Sequence, residues 1–304
     1  MACYHRAKGI RLQNGDVKFV SQSTVDGELL TLPCGQCIGC RLEYSRQWAI
    51  RCLDEAQMHS ENSFITLTTS VESVKKYGRS LDVAVFQKFM KRFREELDPD
   101  RKLKIGPRRP RKKIRFFHCG EYTQSFLPHY HALIFGYGFP DRKYWCMNKS
   151  GTHKLYRSDM LERLWPFGHS YIGDVSFESA AYVARYVMKK VVVTRDDQDR
   201  LIMKDTGELL SREYVTMSRR PGIGATWYEK FKSDVYPYGD RVVRGRKMRP
   251  PKFYDKRYSD DDPVGFEELQ FIRQNKLDKL DNTELRLLVK EKVANSRLKL
   301  FPRE

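Results

Sequence analysis

Apolar and polar positions recur with different periods along the chain, and each change of period marks an element. Over residues 41–60, Leu42, Trp48, Ile50, Cys52, Leu53 and Ala56 fall near one broad helical face with Arg and Glu between them, predicting a helix that breaks at Asn62. Residues 64–69 are apolar and β-branched and read as a buried strand. Asp82 is a good N-cap, and Val83, Phe86, Phe89, Met90, Phe93 and Leu97 keep helical spacing after it, with Lys88, Lys91, Arg92 and Arg94 covering the other side. Residues 114–122 and 129–135 read as strands. The short linker between them, with Ser125 and Pro128, favours an antiparallel pair. A short helix over 158–165 is stopped by Pro166. A strand over 168–176, a helix over 178–190, a polar loop or hairpin over 193–212 and a short strand over 214–217 follow. A basic turn then opens a helix near Trp227. Residues 1–40 read as loop-rich, and residues 262–299, charged with sparse leucines, as a helical tail.

These elements predict an α+β chain in three parts: a cysteine-rich segment and helix packed on the core (1–60), a core domain (61–258) and a charged helical tail (259–304). With 40% hydrophobic residues the chain has enough apolar material for a real core. Its formal charge of +18 predicts attraction to a polyanion, nucleic acid before membrane. It contains no apolar run long enough to span a bilayer, and its N-terminus lacks the apolar region of a signal peptide. An intracellular setting is therefore expected, with the seven cysteines reduced or metal-bound.

The charge is concentrated. Nine of the fifteen residues from 101 to 115 are Lys or Arg and none is acidic, and Gly106, Pro107 and Pro110 make the segment a loop. Arg108, Arg109, Arg111, Lys112 and Lys113 are thus candidate phosphate contacts, which position DNA without reading its sequence. Arg219 and Arg220 form a second basic turn, and residues 241–252 are basic again.

Candidate chemistry lies in three places. In the strand 129–135, His129 and His131 share a face, so two imidazoles converge on one point. Glu121, near the end of the preceding strand, either completes a two-histidine, one-carboxylate site suited to magnesium or manganese acting on phosphate, or is a surface carboxylate. Cys34, Cys37 and Cys40 form two overlapping Cys-x-x-Cys steps. With Cys3 as fourth ligand, or His5 failing that, they either hold a structural zinc ion or are reduced structural cysteines. Tyr182 and Tyr186 are four apart on a predicted helix, about 6 Å from each other on one face. Alone such a pair is packing. Beside a metal that polarises a phosphodiester, and with Arg185, Lys189 and Lys190 supplying positive charge, it is a pair of nucleophiles.

The run His129-Tyr130-His131-Ala-Leu-Ile-Phe, followed by Tyr182-Val-Ala-Arg-Tyr186-Val-Met-Lys189, resembles the HUH endonucleases that initiate rolling-circle replication. Its two-tyrosine form looks like the replication initiators of the microviruses, small single-stranded DNA bacteriophages. Residues 33–41, 117–122, 218–224 and 249–255 are similar to the gokushovirus branch, so that the resemblance spans about residues 1–258. The family's first motif, an apolar strand ending in threonines, matches residues 64–69. The resemblance implies the HUH fold, a central antiparallel sheet with helices on one side. It implies magnesium or manganese on His129, His131 and Glu121, with Tyr182 and Tyr186 as nucleophiles. It also implies nicking of viral replicative-form DNA at an origin, later rejoining of the displaced single strand, host helicase and polymerase as partners, and a bacterial host cytoplasm as location. A non-catalytic zinc-containing DNA-binding protein and a relaxase- or transposase-type nuclease are the alternatives.

Overall fold

The strand expected at residues 64–69 lies at the centre of the molecule. The computed structural model describes residues 3–12, 16–19, 28–98, 113–148, 150–191, 201–203, 207–276 and 280–300, with side chains described for all but 185–191 and 299–300. A small N-terminal sheet contains β1 (Arg6–Arg11), β2 (Val17–Phe19) and β3 (Glu28–Pro33) in the order β2-β1-β3. The main sheet has seven antiparallel strands: β4 (Asn62–Thr68), β5 (Arg115–Tyr122), β6 (Pro128–Phe135), β7 (Lys143–Met147), β8 (Lys154–Arg157), β9 (Ser170–Gly173) and β10 (Tyr214–Met217), in the order β10-β5-β6-β4-β9-β8-β7. A hairpin of β11 (Arg241–Val243) and β12 (Arg246–Met248) stands apart.

Alternation along β6 dictates how this sheet is covered. Tyr130, Ala132 and Ile134 share one face, and His129, His131, Leu133 and Phe135 the other. The first face packs with Ile65 and Leu67 against Phe86, Phe89, Met90 and Phe93 of α3 (Val83–Glu96), and against Leu161 and Leu164 of α4 (Asp159–Leu164). The second packs against Ala49 and Cys52 of α1 (Ile38–Gln57), and against Ala180, Val183 and Ala184 of α5 (Phe177–Val191). Helices therefore cover both faces, which corrects the one-sided arrangement. Both faces of β5 and β6 are apolar over most of their length, so each needs a cover. The expected aromatic stripe of α3 is core. Each of its three buried phenylalanines contributes about 2–3 kcal/mol, and the Asp82 side chain caps the helix by accepting from Ala84 N at 2.8 Å.

Several boundaries differ from expectation. The loop-rich N-terminus is the small sheet, whose short strands pair locally and carry too few apolar positions to show a period. Asn62 is the first residue of β4 rather than a break, and its amide caps α1 by donating to Ala56 O at 3.0 Å. α1 starts at Ile38, three residues before Arg41, and β9 covers only the middle of 168–176. α2 (Val71–Tyr77), the β7–β8 hairpin and the β11–β12 hairpin were not expected. The expected helix after the basic turn is α6 (Ala225–Val235). α7 (Lys252–Asp261), α8 (Pro263–Asn275) and α9 (Glu284–Leu300) complete the chain.

Helix α1 also joins the sheet to the C-terminal helices. Asp54, fully buried on α1, accepts from Arg241 at 2.6 Å and from the Tyr254 hydroxyl at 2.9 Å. Asp54→Ala should lower unfolding free energy by about 3–5 kcal/mol in a denaturant titration, because it strands the guanidinium. A loss below about 1 kcal/mol would show that the pair does not hold these parts together.

Candidate functional site

The β4–β5–β6 register builds the site. Thr66 faces His131 and Thr68 faces His129 across one ladder, and Glu121 faces His129 across the other. Period-two alternation puts all five side chains on the face of the sheet that α5 covers. Glu121 and His131 are buried. The His131 Nε2 to Glu121 Oε1 distance is 2.8 Å, and the His129 and His131 ring centroids are 4.5 Å apart. The ligand atoms of Glu121, His129 and His131 all lie within 4.8 Å of one another, a spacing compatible with one metal ion.

The backbone around the site leaves little slack. A Cβ on Gly120, beside Glu121, would meet the Tyr214 ring at 2.7 Å. A Cβ on Gly168 would meet Thr68 O at 2.3 Å, and Trp165 Nε1 donates to that same carbonyl at 3.0 Å. These contacts fix the ends of the strands that carry the glutamate and the second threonine.

The threonines orient the rings. Thr66 Oγ1 lies 3.0 Å from His131 Nδ1, and Thr68 Oγ1 lies 3.3 Å from His129 Nδ1. With each Nδ1–H donating to a hydroxyl, each Nε2 is the nitrogen that carries the lone pair toward a metal. Phe64 stacks on His131 with centroids 5.6 Å apart. Burial, reinforced by neighbouring His131 and opposed by Glu121, pushes the His129 imidazole down to about 3. That ring is therefore neutral at neutral pH, as a metal ligand must be. Two imidazoles, a carboxylate and an oriented outer shell are the donor set of a catalytic divalent metal.

Helix α5 carries the tyrosines over this cluster. The Tyr182 hydroxyl donates to Glu121 Oε1 at 3.2 Å, and its ring stands edge-on to His131 with centroids 4.9 Å apart. Tyr186, Arg185, Lys189 and Lys190 lie further along the same helix, and their side chains are outside the described residues.

A second cluster sits at the start of α1. Cys3, Cys34, Cys37 and Cys40 place their sulfurs within 4.8 Å of one another, with Cys3 rather than His5 as the fourth member. His5 instead contacts Glu291 at 2.7 Å. Backbone amides point at the sulfurs: Cys34 N donates to Cys3 Sγ at 3.2 Å, Cys37 N to Cys34 Sγ at 3.3 Å and Tyr4 N to Cys37 Sγ at 3.3 Å. Burial pushes the Cys37 thiol up, but amide donors, Tyr4 N first, outweigh it and bring it down to about 6. Burial raises the Cys40 thiol. The four sulfurs can hold a metal ion.

Comparison with known proteins gives the same outline. The family model for ORF2-type replication-associated proteins matches residues 62–191. Replication-associated protein VP4 of Bdellovibrio phage phiMH2K is 32% identical over 268 residues, 86% of this chain and 79% of the relative. The chain belongs to the replication-associated proteins of microviruses. Replication-associated protein ORF2 of Spiroplasma virus 4 is 30% identical over 75% of this chain and 67% of the relative. Replication-associated protein ORF4 of Chlamydia phage 1 is 32% identical over 54% of this chain and 40% of the relative. No solved structure matches. For this replication-associated protein, the matched region runs from β4 through α5, so it contains Glu121, both histidines and both tyrosines.

Of the basic candidates, Arg108, Arg109, Arg111 and Lys112 lie outside the described residues. Lys113 and Arg220 line one cleft of about 330 Å³ together with Arg94 and Arg115. Arg219 and Arg220 are exposed on their turn. Buried Glu55 anchors that turn by pairing with Arg115 at 2.5 Å and accepting from Gly224 N at 2.7 Å. Sequence reasoning missed Thr66 and Thr68. Their two-residue spacing, equal to that of the histidines on a neighbouring strand, was the available signal. No helix among the described residues is long and apolar enough to cross a membrane.

Proposed function

We propose that this protein is a metal-dependent HUH endonuclease. It would nick one DNA strand at a viral origin through a tyrosine and later rejoin the displaced strand. The observation that carries this reading is the phenol of Tyr182 at 3.2 Å from Glu121 Oε1, within a cluster of one carboxylate and two imidazoles. Magnesium or manganese held by Glu121, His129 and His131 would polarise the scissile phosphate and offset its charge. Tyr182 or Tyr186 gives up its proton, and its Oη bonds to phosphorus as the bond to the 3′ oxygen breaks. The 3′ oxygen takes a proton and leaves as a hydroxyl, and the 5′ phosphate stays on the tyrosine. One phosphodiester is exchanged for another, so the reverse attack reseals DNA. The second tyrosine allows a second transfer while the first is loaded. Arg185 and Lys189 neutralise phosphate charge. Lys190, Arg219, Arg220 and the basic run with Arg108, Arg109, Arg111, Lys112 and Lys113 track the backbone. Host helicase and polymerase would extend and unwind the nicked duplex in the bacterial cytoplasm.

The direct test is labelled origin-containing single-stranded DNA mixed with protein and manganese on a denaturing gel. A protein-linked band that requires metal supports the reading. Cleavage without that band would mean hydrolysis, and binding with neither would leave a DNA-binding protein.

The outer shell has its own consequence. Thr66→Val and Thr68→Val together should weaken divalent metal binding about 10–100-fold by calorimetry, with the fold intact. Unchanged affinity would detach the threonines from the site.

The cysteine cluster takes a structural zinc ion. Tetrahedral zinc with Zn–S near 2.3 Å sets its sulfurs about 3.8 Å apart, and Cys37 and Cys3 are 3.9 Å apart. Elemental analysis should find one zinc per chain, lost together with thermal stability in Cys37→Ser/Cys40→Ser. Full stability and no zinc in the unsubstituted protein would refute it.

A further inference from the structure

The β7–β8 hairpin is unused by the chemistry above, and its surface has the composition of a nucleic-acid contact. Residues 142–157 carry Arg142, Lys143, Lys149, Lys154 and Arg157, and no acidic residue. Tyr144, Trp145 and Met147 are 59%, 54% and 41% exposed, although they sit in a strand of the main sheet. Trp145 has no residue opposite it. The register runs Tyr144 to Tyr156 and then Cys146 to Leu155, so Trp145 is the extra residue of a bulge. Bulges re-aim a side chain. Arg157 lies over the Trp145 ring at 4.9 Å, and Arg142 over Tyr156 at 4.9 Å. Tyr144 meets Tyr156 edge-to-face with centroids 6.3 Å apart. The tip is tied down, because Asn148 Oδ1 accepts from Thr152 N at 2.8 Å and His153 N at 3.0 Å.

We propose that this hairpin is a stacking platform for single-stranded DNA, engaging the strand that the Glu121–His129–His131 site cuts, at nucleotides several positions away. The inference rests on the endonuclease reading for the identity of that strand. Exposed aromatics interleaved with cations bind single strands, because every base offers a π-face and every linkage a negative charge. The absence of acidic residues in the segment favours a polyanion over a second protein surface. Position agrees. From β6, which carries the histidines, to β7 there are four strand steps, about 19 Å at 4.8 Å per step. A strand threaded through the site and along the sheet reaches the hairpin within a few nucleotides. Duplex DNA, whose bases are already stacked, offers the rings no free faces.

The test uses the full chain and a fluorescein-labelled 20-nucleotide oligothymidylate, read by anisotropy without added divalent metal. Tyr144→Ala/Trp145→Ala should raise Kd at least about tenfold, and Tyr144→Phe/Trp145→Phe should restore most of the affinity. The intrinsic tryptophan quenching caused by DNA should shrink in Trp145→Phe. Equal affinity in the alanine variant, with unchanged circular dichroism, would overturn the proposal. So would a change of oligomeric state on substitution with DNA binding intact, which would make the hairpin a contact between copies. If wild-type protein forms no covalent adduct, the active-site reading fails. The anisotropy result still decides whether the hairpin binds single strands.

Discussion

Tyr182→Phe/Tyr186→Phe should form no detectable covalent adduct with origin DNA, while binding that DNA with nearly wild-type affinity. The loss is total because phenylalanine keeps the ring packing and removes the only atom that can bond to phosphorus. Tyr182 packs edge-on to His131 and lies 6.4 Å from Phe64, contacts a phenyl ring reproduces. The single variants separate the roles. If the hydroxyl that touches Glu121 makes the first attack, Tyr182→Phe alone eliminates nicking, and Tyr186→Phe spares nicking but impairs rejoining. A double variant that still forms adduct would place the nucleophile elsewhere in the chain.

His129→Ala/His131→Ala should lower the rate of nicking by roughly a thousandfold or more. Metal polarisation of a phosphoryl oxygen supplies several kcal/mol, and each 1.36 kcal/mol is about tenfold in rate. The substitution removes two of the three donors and leaves Glu121 buried beside Tyr182. Added manganese should not rescue the variant, whereas it should rescue wild-type protein stripped with a chelator. Stability separates this effect from misfolding. His129 is neutral at its site and gives up no ion pair at neutral pH, so loss of the folded circular dichroism signal is not expected. Nicking at the wild-type rate would contradict a metal role for these histidines.

Much of this site was legible in the sequence because strand alternation is a strict rule. Two histidines two apart in an apolar run share a face whatever surrounds them, and a short linker made the antiparallel partner, with Glu121 near its end, the simplest arrangement. The helix carrying Tyr182 was visible from its apolar period. What was hidden depended on long-range pairing. Thr66 and Thr68 matter only because β4 pairs with β6 in one register, and no local pattern sets that register. The second helical layer was missed for a related reason, since apolar residues on both faces of β5 and β6 read locally as an ordinary buried strand. The N-terminal sheet and the β7–β8 hairpin carry few buried apolar positions, so period analysis had nothing to register there. Cys3 could be joined to Cys34, Cys37 and Cys40 only as a guess from ligand count, because the intervening chain folds as strands.

The central claim is a phosphodiester exchanged onto a tyrosine of α5, and mapping the adduct by mass spectrometry tests it most directly. Captured protein would be digested with nuclease and then trypsin. Cleavage after Arg163, Arg185 and Lys189 puts Tyr182 in peptide 164–185 and Tyr186 in peptide 186–189. The account predicts a 5′-nucleotide on Tyr182 or Tyr186 in metal-treated wild-type protein and on neither after chelation. A nucleotide on any other residue, or cleaved DNA with no modified peptide, would contradict it.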